Sequence, residues 1–126
     1  MANTIENIRL AIIGCGTTGR IRANFARQYP GIEWLGLCDL NSTLGKQLAE
    51  DTSADFFTTD FEELLDRSEV NAVMVLTDEN RHTAPALKAA DNGHKLFIEK
   101  PLAADALESR QILRAVEEAG IDACVG

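Results

Sequence analysis

Several features that mark special classes of protein are scarce in this sequence. Aromatic residues make up 6% of its 126 residues, and twelve basic residues face twenty acidic ones, for a net charge of −8. Because polyanions are bound by basic surfaces, this balance argues against a nucleic-acid partner or an anionic membrane surface. No apolar run reaches the roughly 18 residues that cross a bilayer, and the amino terminus lacks a secretory signal pattern. We therefore expect a cytoplasmic protein.

Cysteine is also rare. Cys15, Cys38 and Cys124 are the three cysteines of the chain, and no two of them have the spacing of a CxxC pair. An odd and small number of widely spaced cysteines argues against a disulfide framework or a zinc site. We expect three reduced, buried thiols and no bound metal.

The remaining composition is that of one globular domain. Hydrophobic residues make up 45% of the chain and charged residues 25%. A chain of this length buries roughly two-thirds of its unfolded surface, which is enough for one core. No repeat, low-complexity stretch or linker divides the sequence, so residues 1–126 are predicted to form a single domain.

Short apolar runs alternate with helical patterns along the chain. Strands are predicted at residues 8–13, 32–38, 56–58, 70–77, 95–98 and 121–125, with helices at about 18–29, after 41, after 60, at 83–92 and at 105–120. Such alternation is typical of parallel strands joined by right-handed crossovers. The sequence therefore predicts an α/β fold, a doubly wound parallel sheet of about six strands with helices on both faces.

Three details of this pattern are specific enough to test. Ile21 and Phe25 lie four residues apart and indicate the apolar face of the first helix. Asp60 followed by Glu63 resembles a capping box. The run at 70–77 is almost continuously apolar, as expected of a strand covered on both faces.

A glycine-rich turn follows the first predicted strand. Gly14, Gly16 and Gly19 form a GxGxxG pattern between a strand and a helix, the context in which such a pattern binds a dinucleotide. Gly14 would permit the turn, Gly16 the close approach of a diphosphate, and Gly19 close packing of helix on strand. The helix N-terminus would direct free amide groups at the diphosphate. The alternative is a tight turn that binds nothing.

Asp39 ends the second predicted strand. A carboxylate at this position accepts hydrogen bonds from the adenosine ribose and repels the 2′-phosphate of NADP, so NAD is favoured. The alternative is an aspartate that only caps the next helix. Arg20, Arg22 and Lys46 keep NADP open, because a nearby base could meet its phosphate.

Polar residues also follow two later strands. One loop carries Asp78, Glu79, Asn80 and His82, and the other carries Glu99, Lys100 and Pro101. Ligands of open α/β sheets bind at the carboxyl ends of strands, where both loops lie. A lysine there could stabilise negative charge developing on a substrate oxygen. The alternatives are a surface or capping histidine and a solvated charge pair.

Taken together, these motifs resemble the N-terminal domain of the Gfo/Idh/MocA family, named for glucose-fructose oxidoreductase and inositol dehydrogenase. The resemblance covers essentially the whole chain and rests on Gly14-Cys15-Gly16-Thr17-Thr18-Gly19, Asp39, Thr77 with His82, the run from Ala86 to Lys95, and Glu99-Lys100-Pro101. It implies a Rossmann fold and an NAD(P)-dependent dehydrogenase that moves a hydride between a sugar or cyclitol hydroxyl carbon and nicotinamide.

The resemblance also implies roles for individual residues. Thr17 and Thr18 would line the diphosphate, beside the three glycines of the loop, and Asp39 would hold the adenosine ribose. Thr77, Asp78 and His82 would flank the cofactor. Glu99 would lie near the nicotinamide ribose, with Lys100 reaching the reactive carbon as the one catalytic candidate. In one departure, Asp78 stands where the family usually has proline, which we expect to loosen the loop.

Members of the family carry a second domain after the sixth strand, which supplies most substrate contacts, the acid–base pair and the surface for oligomerisation. We expect that domain to be absent from this chain, so the chain alone would be inactive. Hydride transfer needs a base for the hydroxyl proton, and a protonated Lys100 is a poor one. Two other functions stay open: a non-catalytic dinucleotide sensor, and a dehydrogenase of an amino acid or a biliverdin-type substrate.

Overall fold

The structure, a computed structural model, describes residues 7–126, and in this part of the chain six strands alternate with five α-helices. The strands are β1 (Ile8–Ile13), β2 (Ile32–Cys38), β3 (Phe56–Thr58), β4 (Ala72–Val75), β5 (Lys95–Ile98) and β6 (Ala123–Val125). The helices are α1 (Thr17–Gln28), α2 (Ser42–Thr52), α3 (Phe61–Leu65), α4 (Thr83–Asp91) and α5 (Ala106–Ala119), and a 3-10 turn at Glu79–Arg81 precedes α4.

All six strands are parallel and lie in the order β3-β2-β1-β4-β5-β6. The strand order reverses between β1 and β4, and this topological switch point is where open α/β sheets bind their ligands. Ile13 is in register with both Cys38 and Val75. The loops that follow β1, β2 and β4 therefore leave the sheet at one edge. This arrangement confirms the predicted doubly wound fold.

The core lies on both faces of the sheet. One cluster of buried side chains includes Val73, Val75 and Ile112, and the other includes Ile12 and Leu37. Successive residues of a strand point to opposite faces, so β1 and β2 contribute to both clusters. The central strands thus anchor the edge from which the loops extend.

Helix α1 packs on the sheet through small residues, and the predicted apolar face is wrong. Gly19 and Ala23 are its buried residues, whereas Ile21 is 53% exposed and Phe25 is 70% exposed. A Cβ on Gly19 would lie 1.9 Å from the carbonyl oxygen of Gly14. Because the helix approaches the loop so closely, only small side chains fit beneath it.

Two further expectations need correction. Strand β4 is shorter than predicted, and its side chains alternate between buried Val73 and Val75 and partly exposed Ala72 and Met74. One face of β4 is therefore incompletely covered. Cys15 and Cys38 are buried free thiols as expected, but Cys124 is exposed on the edge strand β6.

The caps of the helices follow the sequence with one exception. Asn41 and Asp105 cap α2 and α5 through their side chains. Asp60 caps α3 by accepting from the amide of Glu62, but Glu63 accepts from the Thr58 hydroxyl instead of completing a capping box. None of the helices in residues 7–126 is long and apolar enough to cross a bilayer.

Candidate functional site

A cleft of about 520 Å³ opens at the carboxyl edge of the sheet, at the topological switch point. Predicted site residues from three loops line it, namely Gly14, Gly16, Asp39, Thr77 and Asp78. The other lining residues are Ile13, Cys38, Leu40, Leu44, Thr59, Phe61, Leu76, Asn80, Arg81, Ala84 and Pro85. The chain thus brings its first three candidate motifs together around one cavity.

The three glycines of the loop differ in how much room there is for a Cβ atom. Gly14 has φ +106°, and a Cβ there would lie 2.7 Å from the Leu76 carbonyl oxygen. Gly19 has no room for a Cβ against Gly14. A Cβ on Gly16, by contrast, would meet nothing within 4 Å. The fold itself therefore requires Gly14 and Gly19, while the space at Gly16 is open toward the cleft.

The N-terminus of α1 is electrostatically suited to an anion. Gly16 is its N-cap, no side chain accepts a hydrogen bond there, and the first turn holds no acidic residue. Free amide groups and the helix dipole favour negative charge at such a terminus. Together with the open space at Gly16, this terminus fits the diphosphate of a dinucleotide, with Thr17 and Thr18 in its first turn.

The carboxylate of Asp39 organises the adjoining loops. It accepts hydrogen bonds from the amide of Cys15 at 2.7 Å and from the amide of Asn41 at 2.8 Å. A carboxylate offers about four lone-pair positions, so acceptor capacity remains for ribose hydroxyls. Asp39 therefore has a structural role and can have a ligand-binding role as well.

The basic residues that left NADP possible as a cofactor, Arg20, Arg22 and Lys46, do not line the cleft. Arg20 pairs with Asp51 at 3.0 Å, and Arg22 pairs with Glu99 at 3.3 Å. Lys46 is exposed on α2 and is not a lining residue. The base that does line the cleft is Arg81, which the sequence analysis missed. Its place in the turn directly after β4 was the signal that could have found it.

The walls on the β2–β3 side were also missed. Leu40, Leu44, Thr59 and Phe61 line the cleft beyond Asp39. Leu40 is 69% exposed, although it is a large apolar residue. These side chains form an apolar slot of the kind that accepts a flat base. Their signal in the sequence was their position in the loops and first helical turns that follow β2 and β3.

The loop after β4 keeps a regular shape without the family's proline. Asp78 has φ −62° and ψ 150°, which are angles that proline also adopts. Its carbonyl accepts from the Arg81 amide at 2.8 Å, which closes the 3-10 turn. The Oγ1 atom of Thr77 is buried and has no partner in the described part of the chain. An orphaned hydroxyl beside the cleft is one that a ligand can satisfy.

His82 does not line the cleft and does not cap α4. It is 1% exposed, and no side-chain capping bond forms at its position. Its Nε2 lies 2.7 Å from the Thr77 carbonyl oxygen, and its Nδ1 lies 3.0 Å from that of Pro101. The ring is thus located between the loops that follow β4 and β5.

Glu99 and Lys100 directly follow β5 and do not line the cleft. The Glu99 amide donates to the Val75 carbonyl at 2.9 Å, and its side chain pairs with Arg22. Lys100 is exposed, and its peptide bond to Pro101 is cis. Within residues 7–126 the Lys100 ammonium has no hydrogen bond or ion pair, so it remains available to a ligand.

The two buried thiols, Cys15 and Cys38, are poor nucleophiles. Burial, and next the negative charge of Asp39, raise the pKa of Cys15 and of Cys38 to about 12. Only a thiolate attacks electrophiles efficiently. The structure therefore does not support covalent catalysis by these cysteines.

Comparison with known proteins agrees with this geometry. A relative from Bacillus subtilis, scyllo-inositol 2-dehydrogenase (NAD(+)), is 30% identical over 122 residues, which is 96% of this chain and 36% of that protein. A relative from Mediterraneibacter gnavus, 2,7-anhydro-N-acetylneuraminate hydratase, is 29% identical over 93% of this chain and 30% of its own length.

The solved structure of GenD2 from gentamicin A biosynthesis, in complex with NAD, superposes with a TM-score of 0.89 at 26% identity, covering 99% of this chain and 36% of that one. This chain thus spans about a third of the length of the relatives that it matches. Residues 8–126 match the family described as "Oxidoreductase family, NAD-binding Rossmann fold". The chain belongs to the Gfo/Idh/MocA oxidoreductases, as their NAD-binding Rossmann domain.

Proposed function

We propose that this domain is the cofactor-binding part of a dehydrogenase that transfers a hydride between a hydroxyl carbon of a sugar or cyclitol and nicotinamide. The observation that carries the proposal is the open space at Gly16, between an uncapped helix N-terminus and the Asp39 carboxylate. The names of the relatives support the substrate class, since one acts on scyllo-inositol. We expect the protein to act in the cytoplasm.

The cofactor end of the site follows from the geometry of the loops. The amides at the start of α1, including those of Thr17 and Thr18, would bind the diphosphate, while Gly14 and Gly19 keep the loop in shape. Asp39 would accept hydrogen bonds from the adenosine ribose, and its charge would disfavour a 2′-phosphate. Bound NAD would supply the hydride acceptor; the residues of this chain bind and orient it.

The nicotinamide end would lie across the switch point, beside the loops that follow β4 and β5. Thr77 has an unpartnered hydroxyl there, and Asp78 lines the same cleft. Lys100 would place its ammonium near the substrate oxygen, where positive charge stabilises an alkoxide. The ion pair of Glu99 with Arg22 would hold the backbone that follows β5 in a fixed orientation.

Hydride transfer also requires a base for the hydroxyl proton. In residues 7–126 the Glu99 carboxylate next to Lys100 is paired with Arg22 and the His82 ring is buried, so we assign the base to neither of them. We propose that the base belongs to the part of the relatives' length that this chain does not cover. The chain alone would then bind the cofactor without turnover.

The direct test is a fluorescence titration of the chain with NADH and, separately, with NADPH, followed by displacement of the bound NADH with NAD and with NADP. We expect saturable binding of NADH and weaker binding of the phosphorylated cofactor. The Gly16→Ala variant is the matched control, because its Cβ would enter the open space and meet no atom of the fold within 4 Å. Absence of binding at millimolar NAD and NADP would overturn the proposal.

A second candidate is a dinucleotide-binding protein without dehydrogenase activity. The relative named a hydratase favours it, since that name describes no net oxidation. Both candidates predict NADH binding by this chain. They separate in the protein that carries a second domain: an aspartate and a histidine placed at the substrate, with net NADH production from polyols, would support the dehydrogenase.

A further inference from the structure

The loop after β5, residues 101–104, makes few hydrogen bonds to the rest of the described chain. No backbone–backbone hydrogen bond joins residues 101–104 to another segment of the described chain. Ala103 and Leu102 pack against the core, which anchors the far side of the loop. The carbonyl groups of Pro101 and Leu102, however, lie 3.0 Å and 3.3 Å from Nδ1 of His82. The histidine ring is thus the polar attachment of this loop.

The other side of the same ring holds the loop after β4. Nε2 of His82 lies 2.7 Å from the Thr77 carbonyl oxygen, the shortest of the three contacts. The atoms on both sides are carbonyl oxygens, which only accept, so both contacts are hydrogen bonds when each ring nitrogen carries a proton. Thr77 lines the cleft and Lys100 directly precedes the attached segment, so the ring bridges the two loops that carry candidate ligand-binding groups.

We propose that His82 is a positioning residue that sets the separation of the loops after β4 and β5, and thereby the nicotinamide end of the site, without touching the dinucleotide. This inference rests on the proposed function and deepens it. A ring that is 1% exposed and has carbonyl oxygens on both sides has no polar atom left for a ligand. Its effect on binding must therefore pass through the loops.

We call the His82 ring, with its contacts to the carbonyl groups of Thr77, Pro101 and Leu102, the clamp. The clamp and the adenosine end of the site involve different loops. Gly16 and Asp39 follow β1 and β2, and they are joined by the hydrogen bond from Cys15 to Asp39. Within residues 7–126, the hydrogen-bond partners of the His82 ring all lie in the loops after β4 and β5. Loss of the clamp should therefore weaken ligands that reach the nicotinamide end and spare ligands, such as ADP, that end at the diphosphate.

Two substitutions each retain half of the clamp. The amide nitrogen of asparagine superposes on Nδ1, so His82→Asn can keep the bond to Pro101 and lose the bond to Thr77. His82→Gln places its amide nitrogen near Nε2 and does the reverse. His94→Gln is the matched control, because Nε2 of His94 lies 3.0 Å from the Leu65 carbonyl oxygen, beside the amino end of β5.

The experiment compares ADP with NADH on the folded variants. We expect both His82 variants to lose about tenfold in NADH affinity, a change of about 1.4 kcal/mol, while ADP affinity stays within about twofold. His94→Gln should leave the ratio of the two affinities unchanged. An unchanged ratio in both His82 variants would overturn the inference, whereas wild-type protein that binds neither ligand would instead overturn the proposed function.

A measurement on the wild-type protein covers the case in which the variants do not fold. Long-range ¹H–¹⁵N spectra report the state of both ring nitrogens of His82 before and after NADH is added. A clamp that does not touch the cofactor should show hydrogen-bonded ring nitrogens with nearly the same shifts in both states. A ring nitrogen exposed to solvent in the free protein, or one that changes partner with NADH, would contradict the inference.

Discussion

The carboxylate of Asp39 accepts a hydrogen bond from the backbone amide of Cys15, and the two atoms are 2.7 Å apart. Its second oxygen accepts from the amide of Asn41 at 2.8 Å. One side chain thus joins the glycine loop after β1 to the turn after β2 before any ligand is present. The residue assigned to cofactor selection also shapes the loop on which the cofactor rests.

Asp39 substitutions should separate these two roles. Asp39→Ala removes both acceptors and should cost about 1–3 kcal/mol of unfolding free energy, because two amides lose their partner. Asp39→Asn keeps an acceptor oxygen and should cost less. Both variants remove the negative charge, so both should weaken NAD about tenfold or more and narrow the preference for NAD over NADP. Urea unfolding and competition titrations measure these effects, and an unchanged preference would refute the selective role.

The glycines of the loop allow a sharper comparison. Gly16 has φ −71° and ψ −158°, which other residues also adopt, and a Cβ there has open space around it. Gly16→Ala should therefore leave the melting temperature nearly unchanged and reduce NADH affinity. Gly19→Ala places a methyl group against the Gly14 carbonyl oxygen and should cost ~1–3 kcal/mol or more. The prediction fails if Gly16→Ala destabilises the fold as much as Gly19→Ala does.

Local signals in the sequence predicted most of the fold, because strand length, helix caps and turn glycines depend on neighbouring residues. The strand at residues 32–38 and the GxGxxG loop illustrate this. The exposed faces of Ile21 and Phe25 could not be predicted in this way, since the depth of α1 is set by the contact of Gly19 with Gly14 across the loop. Sequence spacing reports a periodicity but not the distance between a helix and its sheet.

In the candidate site, too, features set by neighbouring residues were predicted and features set by distant contacts were not. The residues adjacent to strand ends, such as Asp39 and Thr77, were predicted because parallel strands bring their carboxyl ends to one edge. The place of His82 depends on Pro101 and Leu102, nineteen and twenty positions away, so no local pattern distinguished a buried clamp from a capping or ligand-binding histidine.

Arg81 is expected to assist cofactor binding through its charge. It lines the cleft together with the acidic Asp39 and Asp78, and a dinucleotide brings a diphosphate to that cleft. Because an exposed charge contributes about 0–1 kcal/mol, Arg81→Gln should weaken NADH only about threefold. Its affinity should also fall less steeply with added salt than that of the wild type. Arg110→Gln on α5 is the matched control, and an equal effect of both variants would exclude a specific role.

The buried thiols should make the fold sensitive to alkaline pH. Burial, followed by the charge of Asp39, raises the pKa of Cys15 and Cys38 from 9.0 to about 12. Between these values the unfolded chain releases thiol protons that the folded chain retains, so the free energy of unfolding falls as pH rises. The stabilising contribution is complete below pH 9 and is lost progressively toward pH 12, at about 1.4 kcal/mol per pH unit for each thiol. Urea unfolding at pH 8 and pH 10 should therefore show the wild type losing about 2–3 kcal/mol more than the Cys15→Ala/Cys38→Ala double variant. If the two proteins lost equal stability, the thiols would not be the titrating groups.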